Sequence, residues 1–159
     1  MKSYSIKDVT IQMFPVTSVA IMAHRGSPNG LPKTIRNFIT WRRAAGLDRD
    51  KSGTFTVFHS PQATAGDDFS VDLCAATGQP IPANQFGVSA GILPGGRCAV
   101  LRVVGESENL EAPALFLYRD WLPASGEEAR DFPLFCQRLS FYPDVLENET
   151  ITDLFLPLK

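Results

Sequence analysis

Cys136 and Arg138 stand two residues apart in a run, 134–140, that reads as a β-strand. Residues i and i+2 of a strand share a face, so a thiol and a guanidinium lie side by side. A nearby cation favours the thiolate, which is the nucleophilic form of cysteine. The sequence forces no histidine close to this pair, and a free cysteine is equally a small core hydrophobe. Both readings of Cys136 stay open. A second candidate, Gly87-Val88-Ser89-Ala90-Gly91, matches the G-x-S-x-G nucleophile elbow. That motif needs a helix after it and an acid and a histidine further on. Ile92-Leu93-Pro94-Gly95-Gly96 cannot start a helix, and both His24 and His59 come before Ser89. The run is therefore expected to be a strand of small residues. His24 and His59 fall at different strand ends with no ligand spacing. Cys74, Cys98 and Cys136 are far apart, and no pair has the spacing of a zinc site. No metal and no cofactor is expected.

The elements that position these residues must come from a chain of 159 residues, 44% hydrophobic and 20% charged, with a net charge of −2. These values fit a globular domain with a real core and argue against disorder. They also argue against direct nucleic-acid binding, which calls for a clustered basic face. The only basic cluster, Lys33, Arg36, Arg42 and Arg43, lies on a predicted helix and reads as a solvated face. No apolar run is long enough to span a membrane. The opening MKSYSIKDVTIQMF lacks the apolar stretch of a signal peptide. A cytoplasmic protein is expected, which leaves the sequon Asn148-Glu149-Thr150 and the odd cysteine count without a secretory meaning.

Self-comparison is the most informative test. Shifted by 79 positions, Phe14-Pro15-Val16-Thr17-Ser18-Val19-Ala20-Ile21-Met22 lies on Leu93-Pro94-Gly95-Gly96-Arg97-Cys98-Ala99-Val100-Leu101. Gly26 then falls on Gly105 and Leu31 on Leu110. With one residue inserted, Trp41 meets Trp121, Gly46 meets Gly126, Phe55 meets Phe135 and Ser60 meets Ser140. With one more, Asp72-Leu73 meets Asp153-Leu154. The order never breaks. Each copy reads as two apolar runs separated by proline (9–13 and 16–24; 87–92 and 97–104), a helix, and two further strands (54–59 and 69–75; 134–140 and 151–157). Val9, Ile11 and Met13 alternate with polar residues, as in a strand. Leu110, Ala114, Leu117 and Trp121 recur at helical spacing, with Pro113 in the first turn and Pro123 as the stop. Leu31, Ile35 and Phe38 fill the matching places in copy one, and Gly46 suits a helix C-terminus. The joint between copies falls at Thr77–Ala83. The fold class expected is α+β: duplicated βαββ-type units with pseudo-twofold symmetry, antiparallel sheets and a central ligand cleft.

These pieces together resemble the GyrI-like small-molecule-binding domain, which also serves as the effector-binding domain of AraC- and MerR-type regulators. The resemblance rests on Asp8-Val9, His24-Arg25-Gly26, Phe58-His59-Ser60-Pro61, Val71-Asp72-Leu73-Cys74 and Pro94-Gly95-Gly96-Arg97-Cys98-Ala99-Val100. Trp121-Leu122-Pro123-Ala124-Ser125-Gly126, Pro133-Leu134-Phe135 and Thr152-Asp153-Leu154 complete it. It covers about residues 8–158. It implies one domain over 1–159, made of repeats at about 8–76 and 87–158 joined by 77–86. It implies a stand-alone version, since nothing before Asp8 leaves room for a helix-turn-helix.

The chain departs from the family where its strand motif usually reads Pro-x-Phe-Glu-x-Tyr. Here Cys136 replaces the glutamate and Arg138 the tyrosine. In the family that strand side lines the cleft, and a buried carboxylate among aromatic rings suits a cation. A guanidinium in its place reverses the preference toward neutral or anionic ligands. The residues expected to bind ligand are Thr56, Phe58, Tyr118, Trp121, Cys136 and Arg138. Trp121 and Phe135 also fit core positions, and Asp72 and Asp153 are expected to bond backbone near a strand start. The function implied is sensing or sequestering a small aromatic or amphipathic molecule in the inter-repeat cleft. Two alternatives stand beside it. One is a cleft hydrolase or thiol-dependent detoxifier, which the loss of the glutamate weakens. The other is a DNA gyrase inhibitor type of interaction protein, with a regulator or gyrase as partner.

Overall fold

The alternation of Val9, Ile11 and Met13 becomes strand β1 (Val9–Phe14) in a computed structural model, which describes residues 4–59, 69–105, 110–141 and 145–159. Ser60 and Pro61 of the family motif lie outside the described residues. After β1 come β2 (Thr17–Arg25), helix α1 (Leu31–Ala45), β3 (Thr54–Phe58), β4 (Ser70–Ala76) and β5 (Ser89–Leu93). Then follow β6 (Gly96–Val104), α2 (Glu111–Leu115), a π-helical turn (Phe116–Trp121), α3 (Leu122–Ser125), β7 (Phe135–Arg138) and β8 (Ile151–Pro157). The architecture is α+β with antiparallel strand pairing, as expected. The G-x-S-x-G run leads into strand β5, not into a helix.

The chain divides into two compact units. The first is Val16–Pro94, with strands in the order β5-β2-β4-β3. The second is Gly95–Lys159 together with Met1–Pro15, with strands in the order β1-β6-β8-β7. Each half of the sequence therefore contributes its opening strand to the unit built by the other half: β1 pairs with β6, and β5 pairs with β2. The two units use the same registers. Val19 faces Ala76 across β2 and β4, and Cys98 faces Pro157 across β6 and β8. Phe55 faces Cys74, and Phe135 faces Phe155.

In the first unit α1 lies on one face of the sheet. Phe38 and Trp41 pack with Ala20 and Met22 of β2 and with Leu73 and Ala75 of β4. The two rings are parallel, with centroids 6.1 Å apart. Burying an aromatic side chain of this size stabilises by about 2–3 kcal/mol. Gly46 ends the helix in the left-handed region at φ 74°, and its N–H reaches the Arg42 and Arg43 carbonyls. Ile35, expected in the apolar stripe, is 39% exposed. The buried stripe runs instead through Phe38, Trp41, Arg42 and the half-buried Ala45, one turn nearer the C-terminus.

Arg42 overturns the solvated-face reading of its cluster. It is buried, and its fork donates to the Leu47 carbonyl at 2.7 Å, to Thr54 Oγ1 at 2.8 Å and to the Ser52 carbonyl and hydroxyl at 3.0 Å. Its guanidinium also lies over the Phe38 ring, 5.8 Å from the centroid. Burial pulls its pKa below the ordinary value, and nearby Asp48 offsets part of that. A planar, always charged fork is the side chain that can satisfy a loop's carbonyls from inside.

Pro123 does not stop the second helix. The chain passes through a π turn, where the Leu122 N–H bonds the Leu117 carbonyl five residues back, and then through α3 to Gly126 at φ 77°. The wider turn takes up one extra residue, and Pro123 follows it at an early position of α3, where a missing N–H is tolerated. This is the insertion that moves the sequence offset from 79 to 80 between Leu110 and Trp121. It keeps Leu117 and Trp121 on one buried face.

Replacing Arg42 by Ala leaves two carbonyls and two hydroxyls of the 47–54 loop without their donor. We expect a loss of about 2–4 kcal/mol in urea unfolding, and Arg42→Lys recovers only part of it. A loss under about 1 kcal/mol would contradict this role.

Candidate functional site

Antiparallel partners directly opposite one another point to the same face, so the registers assign every strand residue to a side. In the first unit the face under α1 carries Ala20, Met22 and His24 of β2 and Val71, Leu73 and Ala75 of β4. Thr54, Thr56 and Phe58 of β3 complete it. Thr56 is buried opposite Leu73, and Phe58 is half-buried opposite Val71. His24 belongs to the structure of this face. Its Nε2–H donates to the Ser27 carbonyl at 2.9 Å, so Nδ1 accepts from the Thr34 hydroxyl at 2.8 Å. The buried ring thus ties the end of β2 to the first turns of α1.

In the second unit the corresponding face carries Ala99, Leu101 and Val103 of β6, Thr152, Leu154 and Leu156 of β8, and Cys136 and Arg138 of β7. The helix stands on this side. Arg97, two residues before Ala99, grips Glu127 just beyond α3 with two bonds of 3.0 Å. That ion pair raises the Arg97 pKa and lowers that of Glu127. Leu117 and Trp121 are buried, Trp121 as its core-like spacing suggested. Phe135 points the other way. It stacks on Phe155 at 4.9 Å and meets Phe14 edge-on at 4.9 Å.

Tyr118 is 42% exposed, and its hydroxyl bonds the backbone of Leu134, the second residue before Cys136. Tyr118 is thereby held at the start of the strand that carries Cys136 and Arg138. Cys136 has 0% exposure, a poor position for a thiol that must meet a substrate. Arg138 is half-buried and faces Thr152. Of the six residues expected to bind ligand, Tyr118, Trp121, Cys136 and Arg138 belong to the second unit, and Thr56 and Phe58 to the first. No group of three or more His, Cys, Asp or Glu among the described residues is arranged to hold a metal ion.

Thr152 escaped the sequence reading. It is fully buried, and its Oγ1 has no hydrogen-bond partner among the described residues. A buried unpaired hydroxyl costs about 1–3 kcal/mol, so one that persists asks for an explanation. In the sequence it stood only as part of the Thr152-Asp153-Leu154 piece of the family resemblance. Asp72 and Asp153 do not bond backbone as expected. Each takes an arginine: Arg25 Nη2 reaches Asp72 at 2.9 Å, and Arg102 forks onto Asp153 at 2.9 and 3.1 Å. A carboxylate on a half-covered sheet face is better satisfied by a charged donor than by backbone already committed to the ladder.

The chain matches the GyrI-like small molecule binding domain family over residues 7–159. It is 40% identical to the probable transcriptional regulator YgiV of Escherichia coli K12 over 153 residues, 95% of this chain and 96% of that protein. Its fold is similar to the crystal structure of the EcmrR C-terminal domain, with a TM-score of 0.76 at 13% identity. That match covers 95% of this chain and 96% of the domain. It is also similar to EcmrR in a cryo-EM structure of an EcmrR-DNA complex, with a TM-score of 0.77 at 14% identity. There 95% of this chain is covered, but it spans only 57% of the EcmrR chain. No helix among the described residues is long and apolar enough to cross a membrane.

Burial raises the Tyr118 phenol above its ordinary range, and the bond from the Leu134 backbone offsets part of that rise. A raised folded-state value contributes stability below the ordinary phenol pKa and loses it as pH climbs through the raised value. Ultraviolet titration of the phenolate, with Tyr118→Phe as the difference, should show Tyr118 ionising at higher pH than a free phenol. Ionisation in step with a free phenol would contradict its placement.

Proposed function

Given that the chain belongs to the GyrI-like small-molecule-binding domain family, we propose that it binds a small aromatic or amphipathic ligand, neutral or anionic, against the helix-side face of its second unit. The observation that carries this is the unpaired, buried Thr152 hydroxyl opposite Arg138. A ligand's polar group reaches that hydroxyl by moving the Arg138 side chain aside, and then meets both a hydroxyl and a guanidinium. Tyr118 supplies an exposed ring at the start of the same strand. Cys136, Leu154 and Trp121 form the apolar floor, where a small sulfur leaves more room than the family's glutamate. In the first unit Phe58 and Thr56 stand on the helix-side face of β3, opposite Val71 and Leu73. A guanidinium on this face penalises a cationic ligand, since two like charges on a poorly solvated surface repel.

The chain acts as a sensor or store for that ligand in the cytoplasm. The regulator description of its relative and the DNA complex of EcmrR support a link to transcription. With a net charge of −2 and no basic cluster beyond the first helix, the chain itself is not the DNA-contacting part. The shared registers of the two units support descent from one duplicated βαββ unit.

Calorimetric titration with naphthalene-2-sulfonate and a naphthyl-trimethylammonium ion compares ligands that differ chiefly in charge. The sulfonate should bind at least about tenfold tighter, a difference of about 1.4 kcal/mol, and Arg138→Ala should remove that preference. Thr152→Val should weaken the sulfonate about fivefold while leaving stability unchanged or higher, because it deletes an unpaired hydroxyl. Tight cation binding that survives Arg138→Ala would refute the charge assignment.

A further inference from the structure

Strand β1 closes the second unit on one side: β6 is its neighbour, and no strand among the described residues borders its other edge. Half of its backbone N–H and C=O groups therefore point away from the sheet, as in any edge strand of an antiparallel ladder. The side chains lie open as well. Thr10, Ile11, Gln12 and Met13 are all exposed, Ile11 at 44% and Met13 at 71%. Soluble proteins guard such an edge with a lysine, a proline, a bulge or a very short strand. β1 has none of these. Its six residues, Val9-Thr10-Ile11-Gln12-Met13-Phe14, carry no charge and no proline, and they run opposite Leu101 back to Gly96 without a break.

The side-chain pattern of this edge is its own complement. Val9, Ile11 and Met13 face Leu101, Ala99 and Arg97, which puts them on the helix side of the sheet. Thr10 and Gln12 face Val100 and Cys98 on the other side, where Gln12 Nε2 donates to Thr10 Oγ1 at 2.9 Å. The order apolar, polar, apolar, polar, apolar reads the same from either end, with Ile11 at the centre. When a second β1 lies antiparallel with Ile11 opposite Ile11, Val9 meets Met13 and Thr10 meets Gln12. Directly opposite residues share a face, so the apolar side chains of both strands form one row and the polar ones another. Lys7 and Asp8 fall opposite Pro15 and Phe14 of the second copy, so no like charges meet. Strand β5, the edge of the first unit, lacks this pattern. Its central residue is Gly91, where a side chain would run into that of Ile21, and Leu93 is already buried.

We infer that β1 is a self-association edge, at which two copies of the chain pair β1 with β1, antiparallel, about a twofold axis through the Ile11 pair. The palindromic pattern selects a second copy of this chain over an unrelated strand, because every apolar and polar position then finds its own kind. A twofold contact is isologous, so the pairing closes at two copies and does not propagate into fibres. The ladder is about 20 Å long, which makes a small interface and a weak dimer, with a Kd on the order of 10 µM. This contact is independent of the helix-side ligand and does not require it.

The test is sedimentation velocity on the whole chain from about 1 µM to about 300 µM, a range that brackets such a Kd. The chain should pass from monomer to dimer with no larger species. Ile11→Lys and Ile11→Glu each set two like charges about 5 Å apart at the axis, and each should weaken association at least about tenfold. Mixed in equal amounts, the two variants set a lysine opposite a glutamate and should associate at least about tenfold more tightly than either does alone. Ile92→Lys on the β5 edge should leave the dimer unchanged. Thermal melting of each variant as a dilute monomer checks that it folds, which the exposure of Ile11 leads us to expect. A chain that stays monomeric at the highest concentration, a dimer that survives Ile11→Lys, or a mixture that associates no better than its components would overturn the inference.

Discussion

Both faces of each unit are fixed by one constraint, the register of its central strand pair. β2 with β4, and β6 with β8, are the longest ladders in their units, and each has a further strand on both sides. A slip of one residue would turn every side chain to the opposite face. It would bring the Arg25 and Asp72 row under α1 and turn Met22, Leu73 and Ala75 away from the helix. The burial of Leu101, Leu154 and Leu156 on one side and of Phe135 and Phe155 on the other resists the same slip in the second unit. Everything proposed about ligands and partners inherits its geometry from these two ladders. Cys136, Arg138 and Thr152 share a face because the register makes them neighbours, and Val9, Ile11 and Met13 share one because β1 runs in register with β6.

Much of this was legible in the sequence because strands announce themselves twice, by alternation and by reappearing at a fixed offset. The self-comparison placed all eight strands to within a few residues. Residues whose partners are distant in sequence were not legible. Arg42 looks like one of four helix-surface cations until the 47–54 loop folds back under it. Ile35 fits the helical stripe, but the helix turns a slightly different face to the sheet, and Phe38 with Trp41 decides which. Pro123 reads as a stop because a proline inside an α-helix clashes with the preceding turn. The π turn takes Pro123 out of the helix interior, and it falls where the self-comparison offset changes by one residue. The family resemblance singled out Cys136 and Arg138, but Thr152 becomes conspicuous only when its burial and its missing partner are seen together.

The two units also differ in complementary ways. Away from the helix, the first unit has Arg25 and Ser70 where the second has Val104 and Ile151. Under the helix the first has a buried, fully bonded histidine, and the second has an unpaired threonine beside an arginine. A satisfied polar group rigidifies its surroundings, whereas an unsatisfied one marks where a missing partner would gain most. That contrast is the reason the proposed ligand is placed on the second unit.

The most direct test of that assignment is an amide and methyl NMR titration of the whole chain with naphthalene-2-sulfonate. The account predicts the largest perturbations at Tyr118, Leu134, Arg138, Thr152 and Leu154. Perturbations confined to the outer strands β1 and β5, with Thr152 and Arg138 unmoved at saturation, would contradict it.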